Sequence, residues 1–124
     1  MSRFLSVCLL AATITQKSEA THNPDPVVTD GDKYSVLLEN ESVRVLRYHD
    51  LPGAKTHLHH HPNFVMYALA PFRRQLTLGG EAPRVREFKA GDVAWMPAQS
   101  HVGENIGTTP TDVLLIELKS GGPR

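Results

Sequence analysis

Short runs in which apolar and polar residues alternate follow one another from residue 34 almost to the end of the chain. Alternation with a period of two predicts β-strands, and glycine or proline stands between most of these runs. Because no segment outside the N-terminal leader keeps a helical period beyond two turns, the pattern predicts an all-β sandwich or barrel. The predicted strands are Tyr34–Glu39, Val43–His49, Phe64–Ala70, Arg73–Leu78, Val85–Lys89, Val93–Met96, Val102–Ile106 and Val113–Lys119.

One predicted strand, Phe64–Ala70, is apolar at both odd and even positions. A strand of this kind is covered on both of its faces. In a domain this small, we expect a second copy of the chain to supply one cover, which predicts a homodimer.

The length of 124 residues predicts a single folded domain. The segments at its two ends differ in composition from the domain. Residues 1–20 have the outline of a signal peptide, since a basic start precedes the apolar run Phe4–Ile14, although a disordered leader fits them equally well. Residues 21–33 are predicted to form an extended N-terminal arm, 34–119 the domain and 120–124 a tail. The protein is secreted or periplasmic if the leader is cleaved, and cytoplasmic otherwise.

Charge and cysteine content narrow the classes of partner. The chain has 13 basic and 13 acidic residues, and this balance argues against nucleic acid or an anionic membrane as the main partner. The apolar part of the leader is too short to span a bilayer. With the single cysteine Cys8, no disulfide can form within the chain.

Four of the seven histidines lie within five positions: His57, His59, His60 and His61. In an extended strand His59 and His61 point to one side and His60 to the other, so the first two can reach one metal ion. A distant strand would supply the third ligand, and His101, which follows Pro97, is the candidate. His57 is a rim histidine, a fourth ligand or a group behind the ligands.

The frame around these histidines resembles the two sequence motifs of the cupin family. Gly53 with His59 and His61 resembles the first motif. Gly91, Pro97, His101 and Asn105 resemble the second, although the spacing from Pro97 to His101 is one residue short. The resemblance covers about residues 25–119 and implies a jelly-roll barrel (a double-stranded β-helix), a metal at its mouth and often a homodimer.

The chain departs from the cupin pattern where the first motif places a glutamate ligand. Val65 and Met66 stand at the two corresponding positions. The resemblance therefore implies a ligand set of His59, His61 and His101 without a carboxylate, which leaves the full charge on a divalent ion. The ion that the resemblance implies is a divalent transition metal, and Fe, Zn, Ni, Mn and Cu all stay open. Val65 has the parity of the ligand histidines and is expected to lie nearer the ion than Met66.

Three-histidine cupins include dioxygenases that act on thiols and on β-diketones. The resemblance thus implies a metal-binding cupin that acts on a small molecule, with a dioxygenase as one interpretation. The alternative interpretation is a non-catalytic binding or sensing module. Outside the ligand set, Trp95 and Met96 are expected in the core and Asn105 in a structural role. Tyr67 is expected to pack in the core or to face the substrate, and Arg73 with Arg74 to attract an anion or to form a solvated edge.

Overall fold

The computed structural model describes residues 23–119 of the chain. The predicted leader, 1–20, and the predicted tail, 120–124, lie outside the described residues. Within the described range, no helix is long and apolar enough to cross a membrane. The same range contains one short helix, α1 (Pro26–Thr29), and nine strands: β1 Tyr34–Glu39, β2 Val43–Asp50, β3 His59–His61, β4 Phe64–Ala68, β5 Phe72–Leu78, β6 Arg84–Phe88, β7 Val93–Met96, β8 Gln99–Asn105 and β9 Thr111–Leu118.

The strands form two antiparallel sheets, with orders β1-β2-β9-β4-β7 and β3-β8-β5-β6. From β3 onward the chain crosses repeatedly between the sheets, which gives the predicted jelly roll. The core lies between the sheets, where alternate side chains of each strand point inward. Its largest members include Tyr34, Leu46, Tyr48, Phe64, Phe72 and Leu115.

The segment predicted as an extended arm instead contains α1. Asp25 caps this helix, because its side chain accepts a hydrogen bond from the amide of Val27 at 2.8 Å, and Pro26 occupies the first turn. One helical turn is too short to produce a hydrophobic period, so the sequence pattern could not reveal it. The turn after α1 buries Asp30 completely.

The expectation that Val65 faces the ligand histidines is wrong. β3 and β4 belong to different sheets, so the alternation of side chains does not continue across Pro62 and Asn63. Met66 is buried and faces the barrel interior, whereas Val65 lies on the outer face beside Trp95. Tyr67 is also on the outer face and is 38% exposed, so it neither packs in the core nor faces the interior.

Two further expectations are corrected by the orientation of side chains. Trp95 is 55% exposed on the outer face of β7, and only its neighbour Met96 joins the core as expected. Arg73 is exposed and pairs with Glu87 across β6. Arg74 is buried inside the barrel, so the solvated-edge interpretation fails for this residue.

Both glycines of the cupin-like motifs adopt backbone angles that residues other than glycine rarely adopt. Gly53 has φ of 90° and Gly91 has φ of 89°. This left-handed region is open to glycine because it has no Cβ. Gly53 turns the chain between β2 and the histidine segment, and its amide donates to the carbonyl of Asn105 at 2.9 Å. Asn105 of the second motif thereby holds the bend at Gly53, with which the first motif begins.

Candidate metal centre

The structure brings His59, His61 and His101 together in the barrel. β3 pairs with β8 in a register that places His59 opposite His101. The ring centroids are 4.8 to 5.2 Å apart, and all three side chains are buried. Each ring offers one nitrogen such that the three nitrogens lie within 4.8 Å of one another. This three-histidine cluster fits a site for a divalent metal ion.

The other nitrogen of each ring, Nδ1, faces an acceptor. The distances are 3.2 Å from His59 to Asp30 Oδ2 and 2.7 Å from His61 to Glu117 Oε2. His101 Nδ1 lies 2.7 Å from the side-chain oxygen of Gln99, whose amide nitrogen donates to the carbonyl of Pro97. Since ionised carboxylates and an amide oxygen only accept, each Nδ1 donates and each Nε2 is left with a free lone pair.

These free lone pairs outnumber the protons that could satisfy them. The Tyr34 hydroxyl, with one proton, lies 3.3 Å from His59 Nε2 and 3.4 Å from His61 Nε2. Burial, together with the neighbouring histidines, lowers the pKa of His59 to about 4 and that of His101 to about 2. Buried hydrogen-bond acceptors are normally satisfied. Three converging lone pairs that have only one hydroxyl proton between them therefore fit a bound cation.

Two charged networks hold the carboxylates that lie behind His59 and His61. Burial acts to raise the pKa of Asp30, but hydrogen bonds from the His57 amide, Thr29 and the histidine rings outweigh it and hold that pKa below its ordinary value. Glu117 accepts a hydrogen bond from Arg44 at 2.9 Å, and Arg44 in turn pairs with Asp25. The α1 segment thus supports His59 directly through Asp30, and His61 indirectly through Asp25 and Arg44.

Beyond the histidines, a cavity runs into the barrel between mostly apolar walls, which include Phe64, Met66, Phe72, Leu76, Phe88 and Met96. Two arginines also line it. Arg74 donates to Asp50 at 2.7 Å and to Thr111 at 3.1 Å, and its guanidinium lies over the ring of Tyr48. Arg86 lies over the ring of Phe88. None of the described residues that line the cavity is an aspartate or a glutamate.

The other candidate residues, His57, His60 and Asn105, lie around the three-histidine cluster and do not belong to it. His57 has a side chain that is 77% exposed, yet its Nδ1 lies 3.0 Å from Asp30, so it is a rim group that contacts the carboxylate behind His59. His60 points away from the cluster to Ser100, as its parity predicts. The Asn105 side chain binds Asp50, Thr109 and the amide of Gly107, which is a structural role.

Several residues of the site were missed in the sequence. Glu117 carried a signal, because it shares the parity of Val113 and Leu115 and so places an acid on the inward face of an apolar strand. Asp30 and Tyr34 carried none, since one lies in a turn and the other begins an ordinary apolar strand.

No protein-family model and no curated protein matches the chain. Among solved structures, a cupin domain from Bordetella pertussis Tohama I aligns with a TM-score of 0.65 and 24% identity, over 70% of this chain and 92% of that one. A protein with a double-stranded β-helix domain from Klebsiella pneumoniae aligns with a TM-score of 0.53 and 27% identity, over 71% and 77% of the two chains. A cupin-like protein from Thermotoga maritima aligns with a TM-score of 0.55 and 22% identity, over 73% of this chain and 71% of that one.

These likenesses show that the chain has the double-stranded β-helix fold that the cupin structures share. The resemblance to cupins that the sequence shows is confirmed at the level of the fold. The same fold carries many different activities, so the activity of this chain has to be argued from its own cavity.

Proposed function

We propose that this cupin holds one divalent transition metal ion through His59, His61 and His101, and acts at that ion on a small molecule. The observation that carries the proposal is the convergence of three buried Nε2 lone pairs whose Nδ1 partners are all acceptors. Imidazole suits Fe, Zn, Ni and Cu alike, and Mn stays open as well. A bound ion supplies Lewis acidity and, if it is redox-active, oxygen chemistry.

The chain's own residues orient the ligands and exclude water from them. Asp30, Glu117 and Gln99 fix the tautomer and the tilt of the three rings. The apolar walls of the cavity keep the site dry, which strengthens every electrostatic interaction inside it.

The cavity favours an anionic ligand with an apolar body. Every charged side chain that lines it among the described residues is an arginine, and an ion at the histidines would add two further positive charges. Arg74 is already engaged by Asp50 and Thr111. Arg86 stands opposite Arg74 across β5 and β6, and no acidic partner is found for it within residues 23–119. Because Arg74 is paired with Asp50, Arg86 is the cation that an anion in the cavity would bind.

Two functional classes fit this ligand, and they differ in what they consume. A dioxygenase needs a redox-active metal and takes up oxygen in the presence of its substrate. A binding or sensing module, the alternative, binds the anion without oxygen uptake. Metal analysis of protein purified without a histidine-capturing column, followed by oxygen-electrode measurements with thiol and β-diketone carboxylates, separates them. A redox metal with substrate-dependent uptake supports the enzyme, and a stoichiometric metal without uptake supports the module.

We also propose that a second copy of the chain covers the outer face of the five-stranded sheet. Val93 and Trp95 are 66% and 55% exposed there, beside Tyr67. Large exposed apolar patches on soluble proteins mark association surfaces. Light scattering at micromolar concentration should give twice the chain mass, and Trp95→Lys should give the single mass, whereas a monomeric wild-type chain would refute the proposal.

A further inference from the structure

We propose that the hydroxyl oxygen of Tyr34 is a fourth protein ligand of the metal centre, in the role that glutamate fills in the cupin pattern. The inference rests on the proposed metal site. It assigns a ligand from β1, a strand that contributes nothing to either histidine motif.

The position of the Tyr34 oxygen is that of a ligand to the same ion. It lies 3.3 Å from His59 Nε2 and 3.4 Å from His61 Nε2. For bonds of about 2.0–2.1 Å, the length typical of Zn–N, the corners of a tetrahedron around an ion are roughly 3.3–3.4 Å apart. The distance from the phenol oxygen to each of the two nitrogens is thus that of two donors that share one ion.

The surroundings of Tyr34 hold the oxygen at that position. Its ring packs against Tyr48 with centroids 4.7 Å apart, and the side chain is buried. Its backbone amide donates to the carbonyl of Asp30 at 3.1 Å, and the Asp30 carboxylate contacts His59. One residue, Asp30, therefore locates both a histidine ligand and the tyrosine. Within residues 23–119 the hydroxyl has the two histidine nitrogens as its hydrogen-bond partners.

Charge gives an independent reason for an oxygen ligand here. Three neutral imidazoles leave the ion with its full double charge, and Val65 lies on the outer face, where it offers no ligand. If Tyr34 held the ion, an O–metal bond would replace its O–H bond and one proton would leave to solvent. The net charge of ion and ligands falls from two to one, which is the charge that a glutamate ligand would give. The lower charge weakens the attraction of the ion for an anion, so that a bound anion can also be released.

Optical spectroscopy tests the assignment without any need for a substrate. A phenolate bound to copper(II) absorbs in the visible through charge transfer, and three imidazoles alone do not produce that band. Metal-free protein titrated with copper(II) should gain the band at one equivalent. Tyr34→Phe should bind one equivalent without the band and with an affinity lowered about tenfold or more. Tyr48→Phe removes the neighbouring phenol, whose hydroxyl contacts Asp50, and should keep the band.

Titration with colourless zinc gives a second readout. Wild-type protein should release one proton more per bound zinc than Tyr34→Phe and should show the ultraviolet difference spectrum of tyrosinate. His101→Ala sets the background from copper or zinc bound elsewhere on the chain. A wild-type protein that binds one metal through its histidines with neither the band nor the extra proton would overturn the role of Tyr34 alone. Failure to bind metal at all would overturn the proposed function itself.

Discussion

His61 Nδ1 lies 2.7 Å from Glu117 Oε2, and this contact joins β3 of one sheet to β9 of the other. Glu117 is buried and accepts a further hydrogen bond from Arg44. A carboxylate behind a histidine fixes the ring and makes its distal nitrogen a better donor to a metal. The contact therefore couples the closure of the barrel to the geometry of the proposed metal site.

Replacement of Glu117 by glutamine should weaken metal binding by about 10- to 100-fold while one equivalent still binds. The amide keeps the shape of the carboxylate but loses the charge that holds the His61 proton. Asp112→Asn is the matched control, because Asp112 lies on the same strand and pairs with Arg47 at the surface. Competition with a chromophoric zinc chelator measures both affinities. Equal affinities for the two variants would show that Glu117 does not position His61.

Alanine at His59, His61 or His101 should abolish stoichiometric metal binding, whereas His60→Ala should leave it intact. The first three rings converge, and the His60 ring is held outward by Ser100. Elemental analysis of the purified variants measures the metal-to-chain ratio. Full occupancy in His101→Ala would contradict the site as assigned, since no other described strand offers a third imidazole.

Stability of the metal-free protein should fall as the pH is lowered from 7.5 to 5. In the unfolded chain His59 and His101 titrate near 6.5, whereas burial lowers their folded pKa values to about 4 and about 2. The unfolded state therefore binds more protons in this window, and the free energy of unfolding rises with pH across it. Each histidine contributes about 1–2 kcal/mol between these two pH values.

Urea unfolding at the two pH values, with the metal removed by chelator, measures the effect. Four aspartates also have lowered pKa values in the folded protein and favour the folded state above pH 4, but their change falls mainly below this window: Asp25, Asp30, Asp50 and Asp112. His101→Gln should reduce the difference between pH 7.5 and pH 5. An unchanged difference in that variant would contradict the assigned cause.

Arg86→Gln should weaken the binding of a small carboxylate to the cavity by about tenfold, since a charge-assisted hydrogen bond contributes about 1.5–3 kcal/mol. Benzoate is a suitable probe, because its ring suits the apolar walls and its charge suits Arg86. Arg84→Gln is the control, as Arg84 lies on the same strand but pairs with Glu81 at the surface. The visible spectrum of the cobalt-substituted protein reports binding, and equal losses in both variants would refute a role for Arg86.

The sequence predicted most of the fold because alternation and turn residues report directly on strands. It predicted the grouping of His59, His61 and His101 because a period of two places the first pair on one side and a motif supplies the third. It could not predict Asp30 or Tyr34, which approach the cluster through the turn after α1 and through the pairing of β1 with β2. Such contacts depend on how sheets close over one another, and no local pattern records that.

The prediction for Val65 failed for a different physical reason. Parity is meaningful only within one strand, and Pro62 ends β3 before β4 begins in the other sheet. The two residues between the strands reset the alternation, so Met66 turns inward in place of Val65. Arg74 shows the converse case, because it keeps the inward parity of Phe72 and Leu76 although its charge suggested the surface.

This reset gives a matched pair of substitutions at adjacent positions. Met66→Glu places an acid in the cavity with the ion, and it should change metal affinity by on the order of tenfold towards tighter binding, through Coulomb attraction. It should also weaken benzoate binding and destabilise the metal-free protein, because an unpaired buried charge is costly. Val65→Glu places the same acid on the outer face of the sheet and should leave metal affinity unchanged.

The chelator competition used for Glu117 measures both variants, and chemical unfolding without metal measures the cost of the buried acid. The two variants have the same formal charge, so a general electrostatic effect of the added acid would move both affinities alike. An effect confined to Val65→Glu would mean that β4 presents its other face to the ion, and the arrangement of β3, β4 and the cavity described above would then be wrong.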